Sequence, residues 1–467
     1  MPSRLALLLT FGFAVFLFWR DSRQRGSVTG AVWIPLLWML IIGSRFVSQW
    51  LSLFGVSMGA VTLEEGSPID AIVFFSLIVC GLYILRSRQV RLLEIVRNNG
   101  WLTIFLLYCL ASVLWSDFPF VAFKRWIKII GHPIMVLVLF TEPEPEQAVR
   151  SLIKRCAFVL VPVSILFIKY YPEWGRGFDD SGVPVNVGVT TNKNELGWLC
   201  FVLAFFFFWN LLQARRVEEP RERREELVLN LGFLIMICWL LLKAHSATSL
   251  VSLTIGVLVV IFLGSKIVNK QFIGAYFAVG ILICVVAEMG FGVSAEVIRA
   301  LGKDPTLTDR TAVWQDVLAV PLNPLLGAGF ESFWLGERRE KLWEKWWWHP
   351  NEAHNGYLEL YLNLGLIGLI IVLGLFIGTY RKITRELLTD LEWGRFRLGF
   401  LIAVIVFNWT EATFKALHVV WFAFYIIALQ VRRVELEDAE VLTEATDEEG
   451  SREFIVTGSS WREAVAV

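Results

Sequence analysis

Long apolar stretches alternate with short polar connections along most of this chain. A helix that crosses a bilayer needs about 20 apolar residues, with roughly 17–25 as the usual range. Thirteen stretches approach that length, and because several are short, the pattern predicts about 12 or 13 transmembrane helices. They cover residues 5–19, 28–43, 69–85, 101–115, 125–140, 152–170, 196–213, 227–243, 247–264, 272–290, 358–380, 398–414 and 416–430.

Composition narrows the class of protein. The chain is 56% hydrophobic and 18% charged, which predicts an all-α polytopic membrane protein, since backbone groups in lipid must be paired within each segment. A net charge of zero gives no electrostatic support to a nucleic-acid partner. The six cysteines lie in apolar stretches, which argues against disulfides and cysteine-based metal sites. No nucleotide, cofactor or zinc motif is present, so we expect neither a cofactor nor a metal.

Lysine and arginine predict the orientation of the helices. One set of connections carries 24 of these residues against eight in the opposite short connections, which places the richer set in the cytoplasm. The polar loop 291–357 then faces outward. Trp19 and Arg20 follow the first stretch in place of a small-residue cleavage site, so it is not a cleaved signal. The predicted organisation is transmembrane helices over 1–290, a large outward loop over 291–357, transmembrane helices over 358–430, and a disordered cytoplasmic tail over 431–467.

The outward loop carries two candidate functional residues. His354 precedes the helix predicted from about 358, and imidazole accepts a proton near neutral pH. Arg310 opens the segment RTAVWQDVLAV, whose spacing predicts a short amphipathic helix, and its guanidinium can bind phosphate. Taken alone, His354 fits an interfacial histidine that only hydrogen-bonds the loop better than it fits a base, and Arg310 is also compatible with a surface residue paired with Asp309. The tryptophan-rich stretch around His349 is typical of membrane anchoring.

A second outward connection, residues 171–195, offers Arg176, Lys193 and Asn194 near the start of a predicted span, and His245 begins another outward turn. Asp179 and Asp180 are interpreted as turn residues. Within the predicted spans the notable ionisable residues are Lys128, Glu288 and Glu411. A coupled ion transporter would place more charge near the middle of the membrane.

These residues together resemble a known family. His354-Asn355, nine residues, and then Gly365-Leu-Ile-Gly368 is similar to the HN-x9-GxxG motif of the O-antigen ligase and polysaccharide polymerase superfamily. Arg310-TAVW followed by PLLGAGFESFW resembles the start of that superfamily's large loop, and GVTTNKNELGW and WSDFPFVAFKRW resemble further elements of it. The resemblance covers about residues 100 to 430. The N-terminal portion and the tryptophan-rich loop are most similar to the branch that makes secreted exopolysaccharide.

The resemblance implies a metal-independent glycosyltransferase of the bacterial inner membrane, with a fold related to the GT-C group and its catalytic loop in the periplasm. The donor would be a glycan on undecaprenyl diphosphate and the acceptor a sugar hydroxyl on a glycan or lipid-linked acceptor. Membrane lipids and polysaccharide-export proteins are the other expected partners. By position His354 would act as base and Arg310 would bind the diphosphate, with Lys193, Asn194, Arg176, His245 and Asn355 as candidate substrate-binding residues.

The chain departs from the family pattern at two positions. Trp314 stands where O-antigen ligases often have leucine in an R-x3-L pattern, and Ser246-Ala247-Thr248 stands where many members have Ser-Arg-Thr. The second phosphate-binding cation is therefore unassigned, with Lys193, Arg176 and His245 as candidates.

A polymerase that joins repeat units is the favoured function. Two alternatives remain open at this point. One is a ligase that transfers the finished glycan to lipid A-core or protein, and the other is a transporter of the same lipid-linked glycan, in which the loop is only a lid.

Overall fold

Twelve of the thirteen predicted stretches coincide wholly or largely with helices in the computed structural model of the chain. The structure describes residues 1–23, 28–56, 66–179, 182–276, 279–280 and 310–431. Most of the predicted span 272–290, the loop residues 291–309 and the tail from 432 lie outside the described residues, as do Asp180 and Glu288.

Helices account for nearly all of the regular structure. The helices are α1 (Ser3–Arg23), α2 (Trp33–Ile42), α3 (Val47–Leu53), α4 (Pro68–Ser87), α5 (Leu92–Asn98), α6 (Gly100–Ala111), α7 (Pro119–Phe140), α8 (Pro145–Tyr170), α9 (Pro172–Gly175), α10 (Lys193–Ala214), α11 (Pro220–Ala244), α12 (Ala247–Gly264), α13 (Arg310–Ala319), α14 (Gly336–Lys345), α15 (Gly356–Glu386), α16 (Leu391–Phe407) and α17 (Val419–Ala428). Short 3-10 turns occupy Gly30–Val32, Ser112–Trp115 and Lys270–Phe272. Strands β1 (Arg176–Phe178) and β2 (Pro184–Asn186) form an antiparallel hairpin.

The described chain forms two units. Among the described residues, the large unit lies within 1–90 and 99–429, and the small unit contains Arg91–Asn98, which includes α5, and residues 430–431. The described residues include seven helices that are long and apolar enough to cross a membrane: α1, α4, α8, α10, α11, α12 and α15. The number rises to nine if each of two bent helix pairs is one span. This confirms a polytopic all-α membrane protein.

The described residues support fewer spans than the twelve or thirteen predicted from sequence. Helix α17 has ten residues, which is about 15 Å at ~1.5 Å per residue and half the thickness of the hydrocarbon core. Helix α7 is long enough but carries Lys124, Arg125 and Lys128 in its first half. Apolar runs in the sequence therefore mark helices reliably, but short or charged helices do not each make a span.

The predicted span 398–414 is wrong in its last part. Helix α16 ends at Phe407, and residues 408–418 form an irregular stretch that we name the closing segment. The buried side chain of Asn408 ends the helix, because its Oδ1 accepts hydrogen bonds from the backbone N–H of Thr413 at 3.1 Å and from the Thr413 hydroxyl at 3.0 Å. A side chain that offers such bonds competes with continued helix.

The core of the large unit is aromatic and centred on α10. This helix packs on α11 and also contacts α12 and α17. Phe201 stacks on Phe400 with ring centroids 5.5 Å apart, and Phe207 stacks on Phe233 at 5.2 Å. Rings at these separations combine large apolar contact with favourable ring geometry. The bundle is thus held by continuous helices with apolar contacts, which differs from the end that carries the large loop.

Candidate active site

Helix α15 is broken at Gly365, the first glycine of the GxxG motif. Gly365 has φ 64° and ψ −165°, a combination that is essentially restricted to glycine. A Cβ at this position would lie 2.2 Å from the backbone carbon of Leu325. Another backbone therefore approaches the helix too closely at Gly365 for any side chain, which explains why the motif has glycine at this position.

That other backbone is residues 323–329, which we name the pairing segment. Its Ala328 N–H donates to the Leu362 carbonyl at 2.9 Å, and the N–H of Leu366 donates to the Pro324 carbonyl at 2.9 Å. Backbone groups freed by a break inside an apolar helix must find partners, and the pairing segment supplies them. The sequence PLLGAG and the GxxG motif are thus two halves of one backbone junction.

The closing segment fixes the start of α15. The N–H of Gly356 donates to the Asn408 carbonyl at 2.8 Å, and a Cβ on Gly356 would lie 2.2 Å from Asn408 Oδ1. Asn355 is the N-cap, with its side chain accepting from the N–H groups of Tyr357 at 3.0 Å and Leu358 at 3.1 Å. Asn355 therefore orients the helix, and its contact with substrate stays a prediction.

His354 and Arg310 meet at one carboxylate. His354 Nδ1 lies 3.8 Å from Glu411 Oε2, and Arg310 Nη2 lies 3.6 Å from Glu411 Oε1. A further Arg310 nitrogen donates to the Thr410 carbonyl. Glu411 is 2% exposed and belongs to the closing segment. The structure thus brings together the two residues that sequence analysis predicted as catalytic, through a residue it had placed inside a span.

A second carboxylate, Glu352, also faces His354. Its Oε1 lies 2.9 Å from His354 Nδ1, although the approach is not aligned as a hydrogen bond and Nδ1 is buried. The other Glu352 oxygen accepts a hydrogen bond from Lys415, whose pKa is lowered to about 8 by burial. We name Arg310, Glu352, His354, Glu411 and Lys415 the His–Arg cluster.

The backbone of His354 is held in the left-handed region, with φ 49°. Such a conformation is uncommon for a residue other than glycine and costs free energy, so surrounding contacts must enforce it. The histidine side chain is 19% exposed while Nδ1 is buried. Nε2 is therefore the nitrogen that can meet a ligand.

Distance alone would also allow a metal ion in this cluster. One ligand atom from each of Glu352, His354 and Glu411 lies within 4.8 Å of the others. Each carboxylate already contacts a cation, Lys415 for Glu352 and Arg310 for Glu411. A divalent ion would have to share these oxygens with two positive groups, so the donor set fits a salt-bridge network better than a metal site.

Helix α13 presents Arg310 and Trp314 on one face, since they are one turn apart. The Trp314 indole N–H donates to the Ala353 carbonyl at 2.7 Å, next to His354. Val313 and Val317 are buried in a small apolar core together with Ala353. The tryptophan that replaces the family's leucine therefore adds a hydrogen bond to the backbone that carries the histidine.

Glu359 holds the same backbone from the other side. Its carboxylate accepts hydrogen bonds from the Ala353 N–H at 3.0 Å and from the Trp334 indole at 2.9 and 3.0 Å. Asn363 donates to it at 3.0 Å. Sequence analysis missed Glu359, although an acid one turn after the His-Asn pair in an apolar helix was a signal that could have found it.

Most tryptophans of the loop also point inward. The Trp346 indole donates to Asp316 at 2.8 Å, and Trp343 stacks on His349 with ring centroids 4.8 Å apart. Trp347 is 68% exposed. The predicted membrane anchoring thus suits Trp347, whereas Trp343 and Trp346 pack within the loop itself.

The WSDFPFVAFKRW element, residues 115–126, makes hydrogen bonds to the large loop. The Trp115 indole donates to the Leu326 carbonyl of the pairing segment at 3.2 Å. Arg125 donates to the backbone carbonyl of Glu331, and its Nε lies 3.8 Å from the Glu331 carboxylate. This family element therefore positions the loop end of α7 against the site.

A cavity of about 420 Å³ lies beside the His–Arg cluster. Glu352 and Lys415 of the cluster form part of its wall, and α7 contributes Arg125 and Lys128. The TTNKNELGW element contributes Thr190, Thr191, Asn192, Glu195 and Trp198. All four sequence elements that carry the family resemblance thus line one cavity together with the closing segment.

The remaining predicted binding residues have other surroundings. Lys193 forms an ion pair with Asp179 at 2.8 Å, and Arg176 lies in strand β1. His245 is exposed and ends α11 with φ 50°. In the described part of the chain neither these residues nor Asn194 lines the cavity, and their substrate contacts stay predictions. Asp179 forms the hairpin turn, as predicted, by accepting the Val183 N–H at 2.9 Å.

The turn that lacks the family's arginine nevertheless reaches the site. Thr248 shares a hydrogen bond of 2.6 Å with the Thr410 hydroxyl, and Arg310 bonds the Thr410 carbonyl. Ala247, at the arginine position, is therefore adjacent in sequence to a residue in contact with the closing segment.

Comparison with known proteins gives two matches. The family described as O-antigen ligase matches residues 231–373, which include Arg310, His354 and Gly365. The exopolysaccharide production protein ExoQ of Rhizobium meliloti (strain 1021) is 27% identical over 305 residues. That alignment covers 62% of this chain and 66%, just under two thirds, of the relative. Together with the polytopic helical fold, these matches support the resemblance: the chain is similar to the O-antigen ligase family over residues 231–373 and to an exopolysaccharide production protein over 62% of its length.

Proposed function

We propose that this protein is a membrane glycosyltransferase that moves a glycan from undecaprenyl diphosphate to a sugar hydroxyl during exopolysaccharide or O-antigen assembly. The observation that carries the proposal is the meeting of Arg310 and His354 at Glu411 beside a polar cavity. The loop would lie on the periplasmic side of the inner membrane, as the lysine and arginine bias predicts.

His354 is the proposed base. With Nδ1 facing the carboxylates of Glu352 and Glu411, Nε2 is free to take the proton of the acceptor hydroxyl. The acceptor oxygen then forms a bond to the anomeric carbon, the bond from that carbon to the diphosphate oxygen breaks, and the diphosphate leaves with the electron pair. Displacement of this kind inverts the anomeric centre. The two carboxylates stabilise the imidazolium that results.

Arg310 is the proposed diphosphate-binding residue. Its contacts to Thr410 and Glu411 use part of the guanidinium, which has five donors, and leave others for phosphate oxygens. A cation that meets the developing charge of the leaving group lowers the barrier without a metal. Lys193 and Asn194 remain proposed helpers at the start of α10.

The test is glycan transfer by purified His354→Ala in lipid. We expect transfer to fall by about 10²- to 10⁴-fold, the range for loss of a general base. His349→Ala is the matched control, because His349 also has left-handed backbone and lies in the same loop but stacks on Trp343. Near-normal turnover of His354→Ala would remove the base assignment.

A polymerase is favoured over a ligase because the curated relative is named for exopolysaccharide production. The two reactions differ only in the acceptor, so gene deletion followed by sizing of the glycan separates them. Loss of long chains with single repeat units retained is the expected polymerase result. Long chains that accumulate on the carrier lipid would instead identify a ligase.

A further inference from the structure

A second cavity, of about 410 Å³, lies between the starts of α4 and α7. Its walls are largely apolar, with Ile72 and Phe75 from α4 and Val121 and Ile127 from α7. Ile72 is 65% exposed and Phe75 58% exposed. Exposed side chains of this kind on a membrane helix face lipid, so the cavity is a groove that opens toward the bilayer. We name it the α4–α7 groove.

The groove ends on three cations of α7: Lys124, Arg125 and Lys128. Two of them, Arg125 and Lys128, also line the polar cavity beside the His–Arg cluster. The apolar groove and the polar cavity therefore share a positively charged wall. A molecule with an apolar chain and an anionic head could occupy both at once.

Lys128 differs from its neighbours in lacking a contacting partner within the described part of the chain. Arg125 is bonded to Glu331, and the Lys124 ammonium lies 4.9 Å from the centre of the Phe120 ring. Lys128 makes no hydrogen bond and no ion pair with any other described residue. Two carboxylates act on Lys128 from a distance, but both are engaged elsewhere: Glu331 faces Arg125, and Asp70 accepts hydrogen bonds from the N–H and hydroxyl of Ser48. A partly buried cation with no carboxylate in direct contact is costly unless an anion binds it.

We propose that the α4–α7 groove holds the prenyl chain of the lipid diphosphate donor and that Lys128 is the second cation on its diphosphate. This assignment rests on the proposed function and supplies the cation that Ala247 leaves missing. A polyprenyl diphosphate combines a flexible apolar chain with a multiply charged head, which matches a lipid-facing groove that ends on an unpaired ammonium. The glycan beyond the diphosphate then enters the polar cavity, where Glu352 and Lys415 of the His–Arg cluster lie.

The test is equilibrium binding of undecaprenyl diphosphate to the full chain in phosphatidylcholine nanodiscs. We expect Lys128→Met, which keeps the apolar stem, to weaken binding by about tenfold, the effect of losing one charge-assisted hydrogen bond. Lys128→Arg should retain most of the affinity and controls for misfolding. Lys169→Met is the matched control and should bind normally, because Lys169 is exposed at the end of α8, lies against the Trp239 ring and lines neither cavity.

The prenyl chain is tested separately with uncharged undecaprenol. Ala71→Trp places an indole in the groove and should weaken binding of both undecaprenol and undecaprenyl diphosphate. Ser76→Trp, also exposed on α4 but outside the groove, should weaken neither. Lys128→Met should leave undecaprenol binding unchanged.

If Lys128→Met binds undecaprenyl diphosphate as tightly as the wild type, the assignment is wrong. It is also wrong if phosphatidylglycerol binds in the groove as tightly as undecaprenyl diphosphate does.

The proposed function is tested independently of the groove assignment. If His354→Ala abolishes transfer while Lys128→Met binds and transfers normally, the function stands and the groove assignment fails. If the wild-type protein binds undecaprenyl diphosphate through Lys128 but transfers no glycan, the groove assignment stands and the function fails.

Discussion

The α10 core and the loop end of α15 are stabilised by different kinds of contact. In α10 the backbone is continuous and aromatic side chains such as Phe201 and Phe207 fill the space between helices. In α15 the helix is interrupted at Gly365, and backbone hydrogen bonds to the pairing segment replace side-chain packing. Apolar packing tolerates a changed shape at modest cost, whereas a backbone junction admits only residues that fit its geometry. Substitutions matched between the two regions test this difference.

The largest effect is expected from Gly365→Val. Valine cannot adopt φ 64° with ψ −165°, and its Cβ would overlap the backbone of Leu325. The combined cost exceeds ~3 kcal/mol, so we expect little monodisperse protein in size-exclusion chromatography. Gly232→Ala in α11 is the control, because nothing lies within 4 Å of a Cβ there. Equal yields from the two variants would show that the break is not required.

Glu411→Gln comes next. It keeps the size of the side chain but removes the charge that Arg310 and His354 share, so transfer should fall by roughly 10- to 100-fold, or about 1.4–2.7 kcal/mol of barrier. Glu142→Gln is the bundle control, since Glu142 is also buried and paired with an arginine, Arg88. It should lower the melting temperature without a comparable loss of transfer per folded molecule. A similar fall in both variants would contradict a positioning role for Glu411.

The smallest effect is expected from Trp314→Leu, which introduces the residue that O-antigen ligases often have at this position. It leaves the Ala353 carbonyl without its indole donor, at a cost of about 0.5–1.5 kcal/mol, so transfer should fall by several-fold. Trp209→Leu removes a similar bond, to the Glu392 carbonyl at 3.1 Å, from the α10 core. It should reduce thermal stability more but leave transfer at low temperature intact. If Trp314→Leu transfers at the wild-type rate, the bond to Ala353 does not position His354.

The sequence predicted the helices well because apolar runs reflect the bilayer directly. It also predicted α13, the turn at Asp179, and, through the family motif, the pair Arg310 and His354. The meeting of this pair depends on contacts between segments far apart in sequence, which no local pattern encodes. The apolar residues around Glu411 hide the end of α16, so the sequence pattern places this carboxylate inside the predicted span 398–414.

Other parts of the site were beyond a sequence argument. Glu352 and Lys415 are ordinary loop charges until folding pairs them across the cavity wall. Lys193 was favoured as a cation near the mouth of a span, yet the hairpin turn places Asp179 beside it. Lys128 was noted only as a charge within a span. Tertiary neighbours decide which cation forms an ion pair and which is left without one. A single sequence can therefore identify candidate cations but cannot rank them.

The junction between the pairing segment and α15 has a consequence for biosynthesis. Residues 323–329 leave the ribosome before α15, and the closing segment that carries Glu411 follows only after α16. The pairing segment is therefore synthesised before its hydrogen-bond partners exist, and the cluster is completed only once the closing segment has been made. A nascent chain that stalls before residue 408 holds both Arg310 and His354 without the carboxylate that joins them. The proposed cluster would then form only in chains whose synthesis has passed the closing segment.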